Sequence, residues 1–278
     1  MAARTVIHGE VIDGDLDPAA ERELERAAAL LEQPSFLITV ANHVGVPIER
    51  LAARLPGRAT RGLSRAVNTA LHRAADLAVR SLGRGPRRFT GPRFHRLATV
   101  VTGALGGAGG LPALAVELPV TTTLILRSIA EIAAEEGEDL GTLEARLACL
   151  EVFALGGRSR ADDAAENAYF ALRAALAEGV RMVVDRSAGG GVSRALTELI
   201  VRIAARFELV VGEKAVAQAA PVLGALGGAG INAMFTAHFQ RMARGHFIVR
   251  RLERRWGREA VRAAYERIVA EGITRPRA

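Results

Sequence analysis

The sequence GALGGAGG at residues 103–110 returns as GALGGAGI at residues 224–231, each time within a long run without charged side chains. Glycine costs an exposed helix about 1 kcal/mol relative to alanine, so a glycine-rich helix needs a compensating contact. Small residues four positions apart form a ridge on which two helices can cross closely. These ridges are Gly103 with Gly107, and Gly224 with Gly228. We therefore expect the two octets to pack against each other.

Apolar residues recur at helical spacing along most of the chain, as in LSRAVNTALHRAADLAVRSL, and no stretch shows sustained period-two alternation. Half of the residues are apolar, only 4% are aromatic, and no compositional boundary divides the 278 residues. This pattern predicts an all-α, single-domain helical bundle with the two glycine-rich helices packed closely at its centre. Residues 1–17 are expected to form a disordered acidic leader, and residues 18–278 the helical domain, opened by Asp17 as N-cap and Pro18 in the first turn.

The N-terminal sequence MAARTVIHGEVIDGD lacks a basic cluster followed by an apolar core, so we expect no secretory signal and a cytosolic protein. Cys149 is the only cysteine, which excludes an internal disulfide and a multi-cysteine metal site. It falls on the apolar stripe of RLACLEVFAL, a position typical of a buried, unreactive thiol. No cofactor or metal is predicted.

Charge is distributed in blocks. Residues 51–96 hold eleven arginines against one aspartate, residues 131–170 hold ten acids against three arginines, and residues 241–278 hold eleven arginines against four glutamates. Lys214 is the only lysine, so the net charge of +7 rests on arginine. The blocks either pair with one another across the bundle or face an acidic partner.

Two arginine clusters suit an anionic interface. Residues 83–96 interleave arginine with phenylalanine, so that charge attracts and aromatic rings insert, and the last long helix carries arginines on one face. The predicted lipid-binding residues are Arg84, Arg87, Arg88, Phe89, Arg93, Phe94, Arg244, Arg251 and Arg255. The competing interpretation is a solvated basic face paired with the acids of residues 131–170. Nucleic acid is not expected as a partner because the chain has no recognised nucleic-acid motif.

Two uncharged runs have lengths compatible with a membrane span, at residues 97–116 and, apart from His238, at residues 215–240. The first is interrupted at GGLP and is followed by Glu117, and the second contains Gln218, Pro221 and Asn232. These interruptions favour buried or shallowly inserted helices over permanent spans. We expect a peripheral protein on the inner face of the membrane.

Glu117 is the most unusual ionisable residue, an acid inside the apolar run LPALAVELPVTTTLIL. A buried carboxylate needs a partner or a raised pKa, which marks a candidate catalytic group. The preferred interpretation is structural: Pro119 stands in the first turn of a helix, and Glu117 caps that turn.

His238 and His246 are eight residues apart, about two helical turns, so that one face could carry both. With Glu117 they could form the centre of a hydrolase, possibly one that uses a metal ion. The chain contains no HExxH, GxSxG or nucleotide-loop motif that would support a named reaction.

Several separated motifs resemble the bacterial EcsC family in the expected order. They are GGAGGLPALAVELPVTTTLILRSIAEIAAEEGEDL, LACLEVFALGG and PVLGALGGAGINAMFTAHFQRMARGHFIVRRLERRWG, within residues 45–271. The resemblance implies a mainly helical, cytosolic or membrane-peripheral domain without an established molecular activity. Some members are encoded beside a transporter operon, and some carry the label of hydrolase without a defined site. Our leading hypothesis is therefore an EcsC-like protein that binds or handles anionic lipid, with a hydrolase or an adaptor for a membrane transporter as alternatives.

Overall fold

The computed structural model describes residues 16–32, 36–44, 60–80, 110–157, 168–187, 192–219 and 227–272. These ranges contain nine α-helices and no strand, which confirms the predicted all-α class. The helices are α1 (Pro18–Leu31), α2 (Phe36–Val44), α3 (Thr60–Arg80), α4 (Gly110–Glu135), α5 (Leu143–Leu155), α6 (Ala168–Arg186), α7 (Val192–Ala219), α8 (Gly227–Trp256) and α9 (Arg258–Ala270).

Helix boundaries follow local capping chemistry. Asp17 caps α1 by accepting a hydrogen bond from the backbone amide of Ala20 at 2.7 Å, and Thr142 caps α5 in the same way. Gly137 and Gly257 adopt φ values of 80° and 86°, a left-handed conformation that glycine enters without steric cost. The predicted start of α1 at Asp17 and Pro18 is confirmed.

The centre of the bundle is α8, which packs against α1, α2, α4, α5, α7 and α9. Its contacts with α4 advance in the same direction along both helices. Gln240 donates to the Ser128 hydroxyl at 2.6 Å, and further along both helices Arg244 pairs with Glu135 at 3.6 Å. The two helices therefore run parallel, with their N-terminal ends at the same end of the bundle.

This arrangement bears on the repeated octets. Gly110, the last residue of the first octet, is the first residue of α4, and α8 begins at Gly227 within the second octet. Gly228 is half-buried in the first turn of α8, whereas Gly103, Gly107 and Gly224 lie outside the described residues. The octets thus lead into two parallel, packed helices, and their direct crossing stays a prediction.

The expected cap at Glu117 is wrong. Helix α4 begins seven residues earlier, at Gly110, and continues through Pro119, so Glu117 lies inside the helix and not at its start. Proline removes one backbone donor from the helix interior but does not end it here. The Thr123 hydroxyl also donates to the Pro119 carbonyl at 2.8 Å, one turn further along the helix.

Five phenylalanines form a ring cluster where α2, α5, α7 and α8 meet. Neighbouring centroids are 5.0 to 6.3 Å apart, and several pairs are edge-to-face, a favourable aromatic arrangement. The rings belong to Phe36, Phe153, Phe207, Phe235 and Phe239. In a chain with few aromatics, this cluster concentrates large apolar side chains at the junction of four helices.

Gly245 allows α1 to lie close to α8. A Cβ atom at this position would lie 2.8 Å from Leu31 Cγ and 3.0 Å from the Ala27 carbonyl oxygen.

We expect Gly245→Ala to lower the free energy of unfolding by about 1 to 3 kcal/mol through overpacking. Gly62→Ala is the matched control: Gly62 is exposed within α3 with no atom within 4 Å of the added Cβ, so the change should stabilise by up to about 1 kcal/mol. Urea denaturation decides, and a Gly245→Ala protein as stable as the wild type would contradict the close approach.

Candidate functional site

Glu117 and Lys214 form an ion pair inside the bundle. Glu117 lies on α4 and Lys214 on α7, and Lys214 Nζ lies 2.7 Å from Glu117 Oε1. Lys214 is 0% exposed and Glu117 is 6% exposed, so neither charge is solvated. Transfer of either charge from water costs several kcal/mol, which only a close partner can offset. The chain's only lysine thus neutralises its most unusual acid.

Aromatic and hydroxyl groups complete the surroundings of this pair. Lys214 Nζ lies 4.7 Å from the centroid of the Phe235 ring, within range of a cation–π interaction. The Thr121 hydroxyl lies 3.4 Å from Glu117 Oε1, whereas no donor lies within hydrogen-bond distance of the buried Oε2 atom among the described residues. Burial lowers the pKa of the Lys214 ammonium, and the Glu117 carboxylate opposes that shift without cancelling it.

A line of buried polar side chains accompanies the contact between α4 and α8. On α8 the polar residues are four positions apart, and on α4 they share the side of Glu117. The fully buried members are Thr121 and Ser128 on α4, and Asn232 and Thr236 on α8, followed by the nearly buried Gln240. Such polar groups need hydrogen bonds to be stable in a core, and the bond between Gln240 and Ser128 is one of them.

The two predicted histidines are buried and contact different helices. His238 Nε2 lies 3.1 Å from the carbonyl oxygen of Gly156, at the end of α5. His246 Nδ1 lies 2.9 Å from the Tyr169 hydroxyl on α6. Burial lowers the pKa of His238 to about 4 and that of His246 well below its ordinary value, so both rings are neutral at physiological pH.

Glu117, His238 and His246 therefore have separate hydrogen-bonding partners. Within the ranges that the structure describes, no group of three or more His, Cys, Asp or Glu side chains could hold a metal ion. A cavity of about 30 Å³, room for about one water molecule, is lined partly by Gly157 and Tyr169. Neither histidine lines the cavity, although His246 bonds to the lining residue Tyr169, and Glu117 does not line it either. The hydrolase centre stays a prediction.

The arginines of α8 are largely paired inside the molecule. Arg244 pairs with Glu135, and Arg251 pairs with Glu136 at 2.8 Å and Glu23 at 3.2 Å. The interpretation that the C-terminal arginines meet the acids of residues 131–170 is thus confirmed for these two. Arg255 is different: its guanidinium lies 5.7 Å from the Trp256 ring, and no acidic partner is present among the described residues.

The first arginine-aromatic segment lies outside the described residues. This applies to Arg84, Arg87, Arg88, Phe89, Arg93 and Phe94.

Sequence reasoning identified Glu117 but missed Lys214 as its partner. The available signal was the single use of lysine beside an uncharged run, in a chain that otherwise takes its positive charge from arginine. Cys149 is buried as predicted, and burial raises the pKa of its thiol, which keeps it protonated.

A second side of α4 exposes apolar side chains. Val116 is 77% exposed and Val120 is 47% exposed. They are four residues apart and therefore neighbours on one side of the helix. At about 100° per residue, this side lies roughly a quarter of a turn around the helix from Glu117. No helix in the described part of the chain is long and apolar enough to cross a membrane.

Removing one partner of the Glu117–Lys214 pair should leave an uncompensated buried charge. We expect Glu117→Leu or Lys214→Met alone to lower the free energy of unfolding by about 3 to 5 kcal/mol, and the double variant to recover much of that loss. The solvent-exposed Arg194–Glu198 pair on α7 provides the control, because breaking it should cost less than about 1 kcal/mol. Denaturation of the full double-mutant cycle is the measurement. Single and double variants whose losses simply add would contradict the coupling.

In a comparison with protein families, residues 42–252 match the EcsC protein family. The searches of curated proteins and of solved structures gave no match. The matched range includes Glu117, Lys214 and both histidines, and covers most of the bundle. The chain belongs to the EcsC protein family.

Proposed function

We propose that this EcsC family protein binds the surface of bilayers that contain acidic lipids, as a peripheral protein, through the N-terminal part of α4. The observation that carries the proposal is the exposure of Val116 and Val120 on one side of that helix. Single exposed apolar residues are ordinary on protein surfaces. Here two lie side by side in the N-terminal part of α4, and residues 97–116, which include Val116, carry no charge.

Charge supplies the second part of the argument. The segment at residues 51–96 holds eleven arginines against one aspartate, and its last part precedes the uncharged run that leads into α4. Each basic residue near an acidic membrane surface contributes about 1 kcal/mol. Several arginines together with shallow insertion of two valines would give reversible attachment. An acidic membrane surface therefore fits this combination of arginines and exposed valines better than a neutral membrane surface does.

The contacts of α8 narrow the set of arginines that we expect to bind lipid. Arg244 and Arg251 already meet carboxylates, which reduces the charge that they can offer to a membrane. Arg255 is exposed and has no acidic partner among the described residues. The proposal therefore assigns the electrostatic part of binding mainly to Arg84, Arg87, Arg88 and Arg93, with Arg255 as a smaller contributor.

Cosedimentation with vesicles of phosphatidylcholine, with or without phosphatidylglycerol, tests the apolar part. We expect the wild type to prefer acidic vesicles and to be partly released by salt, because the attraction is screened. The double variant Val116→Asp with Val120→Asp should bind about tenfold more weakly or worse, since a loss of 1.4 kcal/mol is already tenfold.

Val201→Asp is the matched control. Val201 is 56% exposed but lies on α7, thirteen residues before Lys214 and so about 20 Å along the helix axis from the level of Glu117. It should bind vesicles like the wild type. Equal loss in the control and the double variant would show that added negative charge, and not this surface of α4, determines the result.

Substitution of four arginines tests the electrostatic part separately. Changing Arg84, Arg87, Arg88 and Arg93 to glutamine should remove most of the preference for acidic vesicles. The pair Arg255→Gln with Arg258→Gln, which removes two exposed charges elsewhere, should change binding much less. Unchanged binding by the fourfold variant, or equal binding of the wild type to neutral and acidic vesicles, would contradict the proposal.

A further inference from the structure

The contact between α4 and α8 has a buried side and a solvent side. Gln240 and Ser128, which bond to each other at 2.6 Å, are buried within it. Arg244 and Glu135 join the same two helices at 3.6 Å, but about half of each side chain is exposed. At about 100° per residue, Arg244 lies about 40° around α8 from Gln240. We call the solvent side of this contact, marked by Arg244 and Glu135, the outer side of the α4–α8 pair.

Arg241 and the exposed valines of α4 lie on this outer side. Viewed from the N-terminal ends, Arg241 lies about 100° around α8 from Gln240, in the same sense as Arg244. On α4, Val120 and Val116 lie about 80° and 120° around the helix from Ser128, in the opposite sense. Because the helices are parallel and Gln240 faces Ser128, opposite senses of rotation lead to the same side of the pair.

The guanidinium of Arg241 has no partner within the described part of the chain. Its side chain is partly buried, and its Nε atom is buried without a hydrogen-bond acceptor. Burial lowers the pKa of this guanidinium, and no acidic side chain among the described residues opposes that shift. The group stays charged, because arginine is not deprotonated in proteins. Arg241 thus combines a permanent charge with a buried, unsatisfied donor, and such a group calls for an acceptor from outside the described residues.

Arg241 also leaves a net positive charge on this part of the molecule. The other charged side chains of α4, and of α8 up to residue 248, are matched by groups of opposite sign. They are Glu117 with Lys214 and Glu135 with Arg244, which form ion pairs, and Arg127 and Glu131, four residues apart on α4. An anion that approaches the outer side of the α4–α8 pair therefore meets one uncompensated guanidinium.

A contact further along α8 shows which partner suits such a group. Arg250 holds Glu138 through Nε at 2.8 Å and Nη2 at 3.1 Å, two donors on one edge of the guanidinium. The same edge of Arg241 has no acceptor among the described residues. It fits an anion with two oxygens side by side. Because Nε is buried, the anion must protrude toward it. A phosphate monoester protrudes with three oxygens, whereas a diester is flanked by substituents on both sides.

We propose that Arg241 binds a phosphate monoester that a lipid headgroup presents at the bilayer surface. The inference rests on the proposed membrane binding, because a bilayer that takes up Val116 and Val120 faces the side on which Arg241 lies. Arg241 is about 13 Å further along the helix pair than Val120. The valines supply apolar attachment, and Arg241 selects the headgroup. A soluble phosphate ester has the same chemistry, so the experiment separates the two sources.

Cosedimentation with phosphatidylcholine vesicles that contain phosphatidic acid or phosphatidylglycerol, matched in surface charge, tests the selection. We expect the wild type to bind phosphatidic acid vesicles about tenfold more tightly, a factor within the range of charge-assisted hydrogen bonds. Arg241→Lys keeps the charge but loses the two-donor edge, so both vesicles should bind about equally, as phosphatidylglycerol vesicles bind the wild type. Arg181→Lys, the same change at an exposed arginine of α6, is the control and should keep the preference.

Two results would overturn the inference and leave the proposed membrane binding in place. The first is a wild type that binds both acidic vesicles alike. The second is a preference that persists in Arg241→Lys, or that is lost equally in Arg181→Lys. A wild type that binds neither vesicle would instead contradict the membrane binding itself.

The NMR signal of the Arg241 Nε–H group tests phosphate binding without a membrane. The signal is identified by its absence in Arg241→Lys, and in the wild type it should shift when glycerol 3-phosphate is added. No shift would overturn Arg241 as a phosphate site. A shift together with no vesicle binding would overturn the lipid as the source of the phosphate and leave a soluble ester.

Discussion

The buried ion pair of Glu117 and Lys214 is the constraint on which the described arrangement depends. Neither charge can be buried alone at acceptable cost, so α4 and α7 must meet at one register. Glu117 and Thr121 face the interior, and Val116 and Val120, roughly a quarter of a turn around the helix, are exposed. The Glu117–Lys214 pair therefore also determines which apolar side chains of α4 remain on the surface.

Helix α8 extends from the surroundings of the Glu117–Lys214 pair to a second group of ion pairs, which is built differently. Near its beginning, Phe235 lies against Lys214, and further along Gln240 bonds to Ser128 of α4. Toward its end, Arg244 and Arg250 of α8 pair with Glu135 of α4 and with Glu138 in the turn after it. Glu253 of α8 pairs with Arg173 of α6. The first group has a single lysine in apolar surroundings, whereas the second group has arginines that make several contacts with carboxylates. Because these arginines are used internally, the membrane proposal relies mainly on the basic segment before α4, which lies outside the described residues.

Much of the fold could be predicted because its signals are local. Helical periodicity gave the all-α class, and Asp17 as a cap is recognisable from its neighbours alone. Pro119 misled the prediction of α4, because proline is more common in a first turn than in a helix interior, yet α4 continues through it. The sequence also showed that Glu117 needs a partner, but nothing local points to Lys214, 97 residues away. The same limit applies to the histidines: their spacing placed both on α8, but their partners come from α5 and α6.

The membrane account is tested most directly by the depth of one side chain. A nitroxide attached at Val116→Cys, or at Val201→Cys as control, can be followed by electron paramagnetic resonance on acidic vesicles, while buried Cys149 stays protonated and unlabelled. The account predicts that the label at 116 becomes accessible to oxygen and shielded from a water-soluble nickel complex, whereas the label at 201 stays in water. Bound protein with the label at 116 still fully exposed to water would contradict it.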